Sequence, residues 1–259
     1  MKIDLHNHTY RCNHAEGKEE EYIKEAIKAN TKVFGFSDHA PMDFDKKYRM
    51  DFSQMGEYET SIKELKEKYK DKIDIKLGYE VDFLEGYIDK RVLEADVDYL
   101  IGSVHFLDKW GFDNPEFLSG YENRDIDEIW QVYFDTIKKM AQTKLFDIVG
   151  HIDLIKVFKF YPKKNILEYA TPVLEEIKKA NMVLELNVAG FRKPCNEPYP
   201  SKKILQKAYE LNIPITFGSD AHKPSQVGLY SKEIEKLAKE AGYKKCAIFT
   251  CRKMELVKF

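Results

Sequence analysis

The chain has 259 residues, 43% of them hydrophobic and 33% charged, yet its 42 basic and 44 acidic residues leave a formal charge of −2. That length supports one large core and is close to the roughly 250 residues of a (β/α) barrel. The charge balance excludes the broad basic footprint of a nucleic-acid-binding domain, and no run reaches the roughly 18 apolar residues that a membrane-spanning helix needs.

Met1–His8 carries no apolar signal core, so the reading is a protein of the cytoplasm. Lys2–Leu5 is the first predicted strand, followed by a helix over Glu19–Ala29 and a strand over Lys32–Ser37. A helix over Ser53–Tyr69, strands over Ile73–Val81 and Tyr99–Val104, and a helix over Ile126–Thr143 come next. Asp147–Gly150 reads as a strand and Asn165–Ala180 as a helix, whose Ile166, Tyr169, Ala170, Val173, Leu174 and Ile177 recur at three- and four-residue steps. Strand Val183–Val188, helix Ser201–Leu211, strand Ile213–Gly218 and helix Ser225–Ala241 complete the alternation. The closing apolar run Ala247–Phe249 reads as either an eighth strand or an edge piece.

Alternating strands and helices imply parallel strands joined by right-handed crossovers. The expected architecture is one α/β barrel-like domain over residues 1–259. Its loops at 41–56 and 106–124 are too long to be simple connectors. Cys12, Cys195, Cys246 and Cys251 are scattered without C-x-x-C spacing, as expected of reduced thiols in a cytosol.

In such a barrel, chemistry gathers at the carboxyl ends of the strands. His6 and His8 close the first predicted strand and Asp38–His39 the second. Glu80 closes the third, His105 the fourth, His151 the fifth, and Asp220 with His222 the last, while His14 follows just after the first. All seven histidines of the chain therefore lie on one rim. Alternate residues of an extended chain point the same way, so His6-x-His8 and Asp220-x-His222 each aim two donors at one place. Imidazoles and carboxylates without thiolate suit Zn²⁺, Mn²⁺ or Fe²⁺. Nine donors exceed the needs of one ion and point to two or three, with Glu80 bridging.

Six strings carry these residues: Asp4-Leu5-His6-Asn7-His8-Thr9, Phe36-Ser37-Asp38-His39, Gly78-Tyr79-Glu80, Gly102-Ser103-Val104-His105, Gly150-His151-Ile152-Asp153 and Gly218-Ser219-Asp220-Ala221-His222. In them the chain resembles the polymerase and histidinol phosphatase (PHP) family of metal-dependent phosphoesterases. Two longer strings, Ser103–Leu107 running into Trp110–Pro115 and Gly150–Lys156, are most similar to the family's free-standing histidinol-phosphate phosphatases. The resemblance implies a distorted seven-stranded, TIM-like (β/α) barrel with three divalent ions per chain. It assigns His6, His8, Glu80 and Asp220 to one ion, Glu80, His105 and His151 to a second, and His14, His39 and His222 to a third. It also implies hydrolysis of L-histidinol phosphate in histidine biosynthesis, with in-line attack by a metal-bridging hydroxide.

Three rival readings are weaker. An amidohydrolase barrel has a bridging lysine after its fourth strand, where this chain has His105, and a non-catalytic metal-binding module is expected to lose ligands that are all present here. A phosphoesterase acting on a nucleotide or another small phosphate ester is the runner-up. Asp153 and Asp38 are candidates for the proton donor, with orientation of the ligand histidines the favoured role for both. Only six of the basic residues are arginines, and Arg192, after the sixth predicted strand, is the candidate phosphate ligand. Lys156, Asp153 and Trp110 are further candidates for substrate contact: Asp153 for the ammonium and Trp110 for the imidazole ring. A small-molecule phosphate monoester is the expected partner, with no nucleic acid and no membrane; the oligomeric state is not legible.

Overall fold

A computed structural model describes residues 1–259. In chain order its elements are β1 (Ile3–Asp4), α1 (Glu19–Lys28), β2 (Val33–His39), α2 (Met55–Tyr69), β3 (Asp74–Asp82), α3 (Lys90–Leu93), β4 (Tyr99–Ser103), β5 (Phe106–Leu107) and β6 (Trp110–Gly111). There follow α4 (Ile126–Thr143), β7 (Ile148–Val149), α5 (Ile166–Lys179), β8 (Val183–Asn187), α6 (Lys202–Glu210), β9 (Ile215–Gly218), α7 (Ser231–Ala241), β10 (Lys245–Thr250) and β11 (Lys253–Lys258). Seven strands form one parallel sheet in the order β1-β2-β3-β4-β7-β8-β9. The sheet curls until its last strand meets its first: the Leu5 amide donates to the Phe217 carbonyl at 2.8 Å and the Asp220 amide to the His6 carbonyl at 2.7 Å. The result is a nearly closed TIM-like barrel of seven strands.

Burial explains the strand sequences. β2, β3, β4 and β8 are enclosed by helices outside and by the barrel interior inside, so they read as near-continuous apolar runs. The polar exceptions within them, Asp38, His39, Glu80, Asp82, Glu185 and Asn187, are also buried. All six lie in the last three residues of their strands, which places them on one rim.

Helix starts follow local chemistry. Asp125 caps α4 by accepting from the Asp127 amide, and Asn165 with Glu168 forms a reciprocal capping box on α5. The helix predicted from Ser225 begins six residues later, at Ser231. Pro224–Gln226 is instead a single 3₁₀ turn, and Gly228, at φ +77°, with Tyr230, at φ +56°, takes the chain through the left-handed region, where an α-helix cannot continue.

The C-terminal apolar run, left open between two readings, is neither an eighth barrel strand nor an edge of the barrel sheet. β10 and β11 pair only with each other, as an antiparallel hairpin. The hairpin sits against the amino ends of the barrel strands. Arg252 pairs with Asp147 and donates to the Leu145 carbonyl, and its own amide donates to the Asp98 carbonyl at 2.9 Å. Ala247 and Phe249 thereby join the main core, and the floor opposite the functional rim is closed.

Candidate metal centre

Glu80, the seventh residue of β3, lies at the focus of the rim and is 1% exposed. One of its oxygens lies 3.0 Å from His39 Nδ1, 3.3 Å from His6 Nε2 and 3.6 Å from His8 Nε2. The other lies 2.8 Å from His151 Nε2 and 3.7 Å from His105 Nε2. Asp220 approaches His8 Nε2 at 3.2 Å. Four groups have donor atoms all within 4.8 Å of one another: His6, His8 and Glu80; Glu80, His105 and His151; His14, His39 and His222; and His8, Cys12 and His222, in which the buried Cys12 thiol donates to the Thr9 carbonyl. Chain segments as far apart as residues 6 and 222 thus converge because each follows a neighbouring strand of one closed sheet.

A second layer, largely of carboxylates, fixes the rings. Glu185 on β8 accepts from His6 Nδ1 at 2.6 Å through one oxygen and from the His151 amide at 2.8 Å through the other. Asp82 accepts from His105 Nδ1 at 2.6 Å, and the His14 Nδ1 lies 2.9 Å from the Cys12 carbonyl. Asp38 accepts from Thr9 Oγ and from the His39 amide, with one oxygen 3.4 Å from His8 Nδ1. A ring nitrogen engaged in this way fixes the tautomer and leaves the opposite nitrogen's lone pair facing inward, the usual arrangement for metal-ligating histidines.

Several inward nitrogens have no hydrogen-bond partner although they are buried: His6 Nε2, His8 Nε2 and His39 Nδ1. Unpaired buried polar atoms cost about 1–3 kcal/mol each, so their clustering fits a cationic group held among them. The charge state fits as well. Burial alone would raise the Glu80 carboxyl, but the surrounding His6, His39 and His105 rings hold it well below the usual range. Burial likewise raises Asp220, and His6, His8 and His222 reverse the effect. The donor set is imidazole nitrogen and carboxylate oxygen, which suits a divalent ion.

The cluster forms the floor of a cavity of about 510 Å³. Arg192 lines its wall, braced by 2.9 Å hydrogen bonds from Nη2 to the Ser219 and Asp220 carbonyls, while its buried Nη1 is unpaired. Asp113 and Lys193 also line the wall, and Tyr199 lies near His151 with ring centroids 6.2 Å apart. Burial raises the Asp113 carboxyl against the pull of His105, Lys193 and His151.

Three residues predicted to touch substrate are not part of this wall. Lys156 and Asp153 form a buried ion pair at 2.9 Å whose remaining bonds, to the Pro198 carbonyl and from the Ser201 amide, tie down the 198–201 segment. Trp110 packs edge-on to Tyr121 at 4.7 Å and donates to the Phe117 carbonyl. Asp38 is fully buried beneath the histidines. Sequence reasoning missed Glu185, Asp82, Arg49 and Asp113. For the first two a signal existed: Val183-x-Glu185-x-Asn187 and Glu80-x-Asp82 each put polar groups on one face of a strand.

Fold and donor set together define a class: a TIM-like α/β barrel with a divalent-metal site at the carboxyl ends of its strands. This chain belongs to the PHP family, whose PHP domain matches residues 4–189, and residues 200–241 match the PHP-associated family. The two matched segments share one sheet, since β9 from the second pairs with β8 from the first. A Deinococcus radiodurans protein named "Probable histidinol-phosphatase" is 37% identical over 97% of this chain and 98% of its own length. The histidinol-phosphatase of Bacillus subtilis is 28% identical over 88% of this chain and 96% of its own. A crystal structure of histidinol phosphate phosphatase from Lactococcus lactis, complexed with Zn, L-histidinol and phosphate, superposes with a TM-score of 0.82 at 25% identity, covering 98% of each chain.

Proposed function

We propose that this chain is a metal-dependent phosphomonoesterase that hydrolyses L-histidinol phosphate to L-histidinol and phosphate. The observation that carries the reading is the joint placement of seven imidazoles with the Glu80 and Asp220 carboxylates, and an unpaired Arg192 Nη1 in the wall of the same cavity. Family membership and the relatives' activity support it.

His6, His8, Glu80 and Asp220 would hold one ion, Glu80, His105 and His151 a second, and His14, His39 and His222 a third, with Zn²⁺, Fe²⁺ or Mn²⁺ matching the donors. Bound there, such ions acidify water toward neutral pH and offset negative charge on phosphoryl oxygens. The protein's own part is to place the ester. Arg192 donates Nη1 to a phosphoryl oxygen, and its brace to two carbonyls holds the guanidinium in place beforehand. Asp113 takes the substrate ammonium. A bare carboxylate beside a phosphate site would repel a simple phosphate ester, so its presence favours a substrate that carries a cation. Glu185, Asp82 and Asp38 keep the histidines oriented.

The near-neutral charge supports a small substrate over a nucleic acid, the four free cysteines support a cytoplasmic setting, and the shared sheet supports one domain over residues 1–259. No helix is long and apolar enough to cross a membrane. The test is phosphate release from L-histidinol phosphate against a panel of nucleoside monophosphates, using metal-loaded protein. Preference for a nucleotide overturns the substrate assignment, and absence of release from every ester overturns the reaction.

A further inference from the structure

Arg49 lies in the long 41–56 loop, yet it is only 3% exposed. Its Nη1 pairs with Asp82, its Nη2 lies 3.2 Å from the Asp45 carboxylate, and its Nε donates to the Asp45 carbonyl at 3.1 Å. Although Arg49 borders the cavity, this guanidinium is committed to protein acceptors on each of its three nitrogens, unlike that of Arg192. Asp82 uses its other oxygen to accept from His105 Nδ1. A continuous chain therefore runs from the loop through Arg49 and Asp82 to a ring of the group formed by Glu80, His105 and His151.

The same segment also reaches another group. The Arg49 carbonyl accepts from Asn13 Nδ2 at 3.0 Å, immediately before His14, and the Tyr48 ring sits edge-on to the His14 ring with centroids 5.7 Å apart. Apart from single 3₁₀ turns at Lys46–Tyr48 and Phe52–Gln54, the loop has no secondary structure of its own. Its seat over the cavity depends on these few contacts, and long loops held this way open locally at low free-energy cost.

We infer that Arg49 is a positioning residue that couples the 41–56 loop to the metal centre, so that the loop docks more tightly when His105 is held by a divalent ion. The inference rests on the metal-centre reading above. Its thermodynamics are reciprocal: if the ion tightens the loop, the docked loop tightens the ion by the same factor.

The experiment has two arms, both using the full chain and zinc as the probe. In the first, hydrogen exchange of backbone amides 45–49 and tryptic cleavage after Lys46, Lys47 and Arg49 are compared for the zinc-loaded and chelator-treated protein. Exchange slowed about 10-fold or more by zinc is expected; equal rates overturn the inference. In the second, zinc affinity is measured by chelator competition for Arg49→Met and Arg49→Lys. Loss of the group that holds a ligand ring costs about 10- to 100-fold in metal affinity; Arg49 stands one step further back, behind Asp82, so Arg49→Met should weaken the loosest zinc by about 10-fold, with Arg49→Lys recovering part of it. An Arg49→Met protein that melts earlier but binds zinc as wild type does has lost only a structural contact, and that result overturns the inference. Should Arg49→Met fail to fold, Arg49→Lys carries the second arm, and wild-type zinc affinity together with wild-type exchange protection in that variant overturns the inference. If wild type binds no zinc at all, the metal-centre reading falls with the inference, an outcome distinct from equal binding by wild type and variant.

Discussion

Glu185→Gln isolates the role of the carboxylate layer, because it keeps the shape of the side chain and removes only its charge and one acceptor. Glu185 is 1% exposed and accepts from two sides, from His6 Nδ1 at 2.6 Å and from the His151 amide at 2.8 Å. A glutamine amide has one acceptor oxygen, so whichever way it turns, its NH₂ faces one of these donors. The carboxylate occupies the space where a β-carbon at position 218 would stand, so the glycine there is what makes room for it. At least one buried donor is left unpaired, and two if the NH₂ turns toward the side where Asn187 Nδ2 also donates at 3.2 Å, at a cost of about 1–3 kcal/mol each. If the misdirected group is His6, that cost appears in metal binding as a loss of about 10- to 100-fold in affinity, which corresponds to ~1.4–2.8 kcal/mol. Zinc affinity by chelator competition, zinc content by elemental analysis and kcat/KM should fall together. A Glu185→Gln protein with wild-type zinc affinity and wild-type turnover would refute the orienting role.

Arg192→Ala should lower kcat/KM by about 10- to 100-fold through KM, the scale of one charge-assisted hydrogen bond. Arg192→Lys should recover only part, because lysine cannot both brace two carbonyls and reach phosphate, and steady-state kinetics that leave Arg192→Ala unchanged would remove it from the phosphate site. Asp113→Asn should raise KM for L-histidinol phosphate by about 10-fold while leaving an aryl phosphate that lacks an ammonium group unaffected or improved, and an equal effect on both esters would argue against ammonium recognition. Arg252→Ala, at the opposite end of the barrel, should cost about 1–2 kcal/mol by urea unfolding, discounted because the side chain is 31% exposed. Its kcat/KM should stay at the wild-type value, and a loss of activity in the folded variant would mean that the floor and the rim are coupled.

The barrel strands and the convergence of the histidines were legible for one reason. Period-two and three-to-four-residue patterns report what faces the core, and strand ends report the rim, so His6, His8, His39, His105 and His151 fell into place from local sequence. The start of α7 was missed because its apolar spacing continues upstream, whereas the backbone at Gly228 and Tyr230 turns left-handed. The final apolar run was ambiguous because strand character does not say what a strand pairs with. Here the answer depends on Arg252 reaching Asp147 and Leu145, about a hundred residues away in sequence.

The substrate wall was the least legible part, and the misassignments share a cause. Asp153 and Lys156 are three residues apart beside His151, which suggests a site, but nothing local reveals that they pair with each other and tie down the 198–201 segment. Asp113 and Arg49 stand in the two long loops, where no periodicity tells which side chains turn inward. Their opposite fates follow from partners: Arg49 is enclosed by Asp45 and Asp82 and so orients, whereas Asp113 has no ion-pair partner within 4.0 Å and borders the cavity, and so remains available to a ligand. In this barrel, a charged residue's availability depends less on its distance from the histidines than on whether the fold has already supplied its counter-charge.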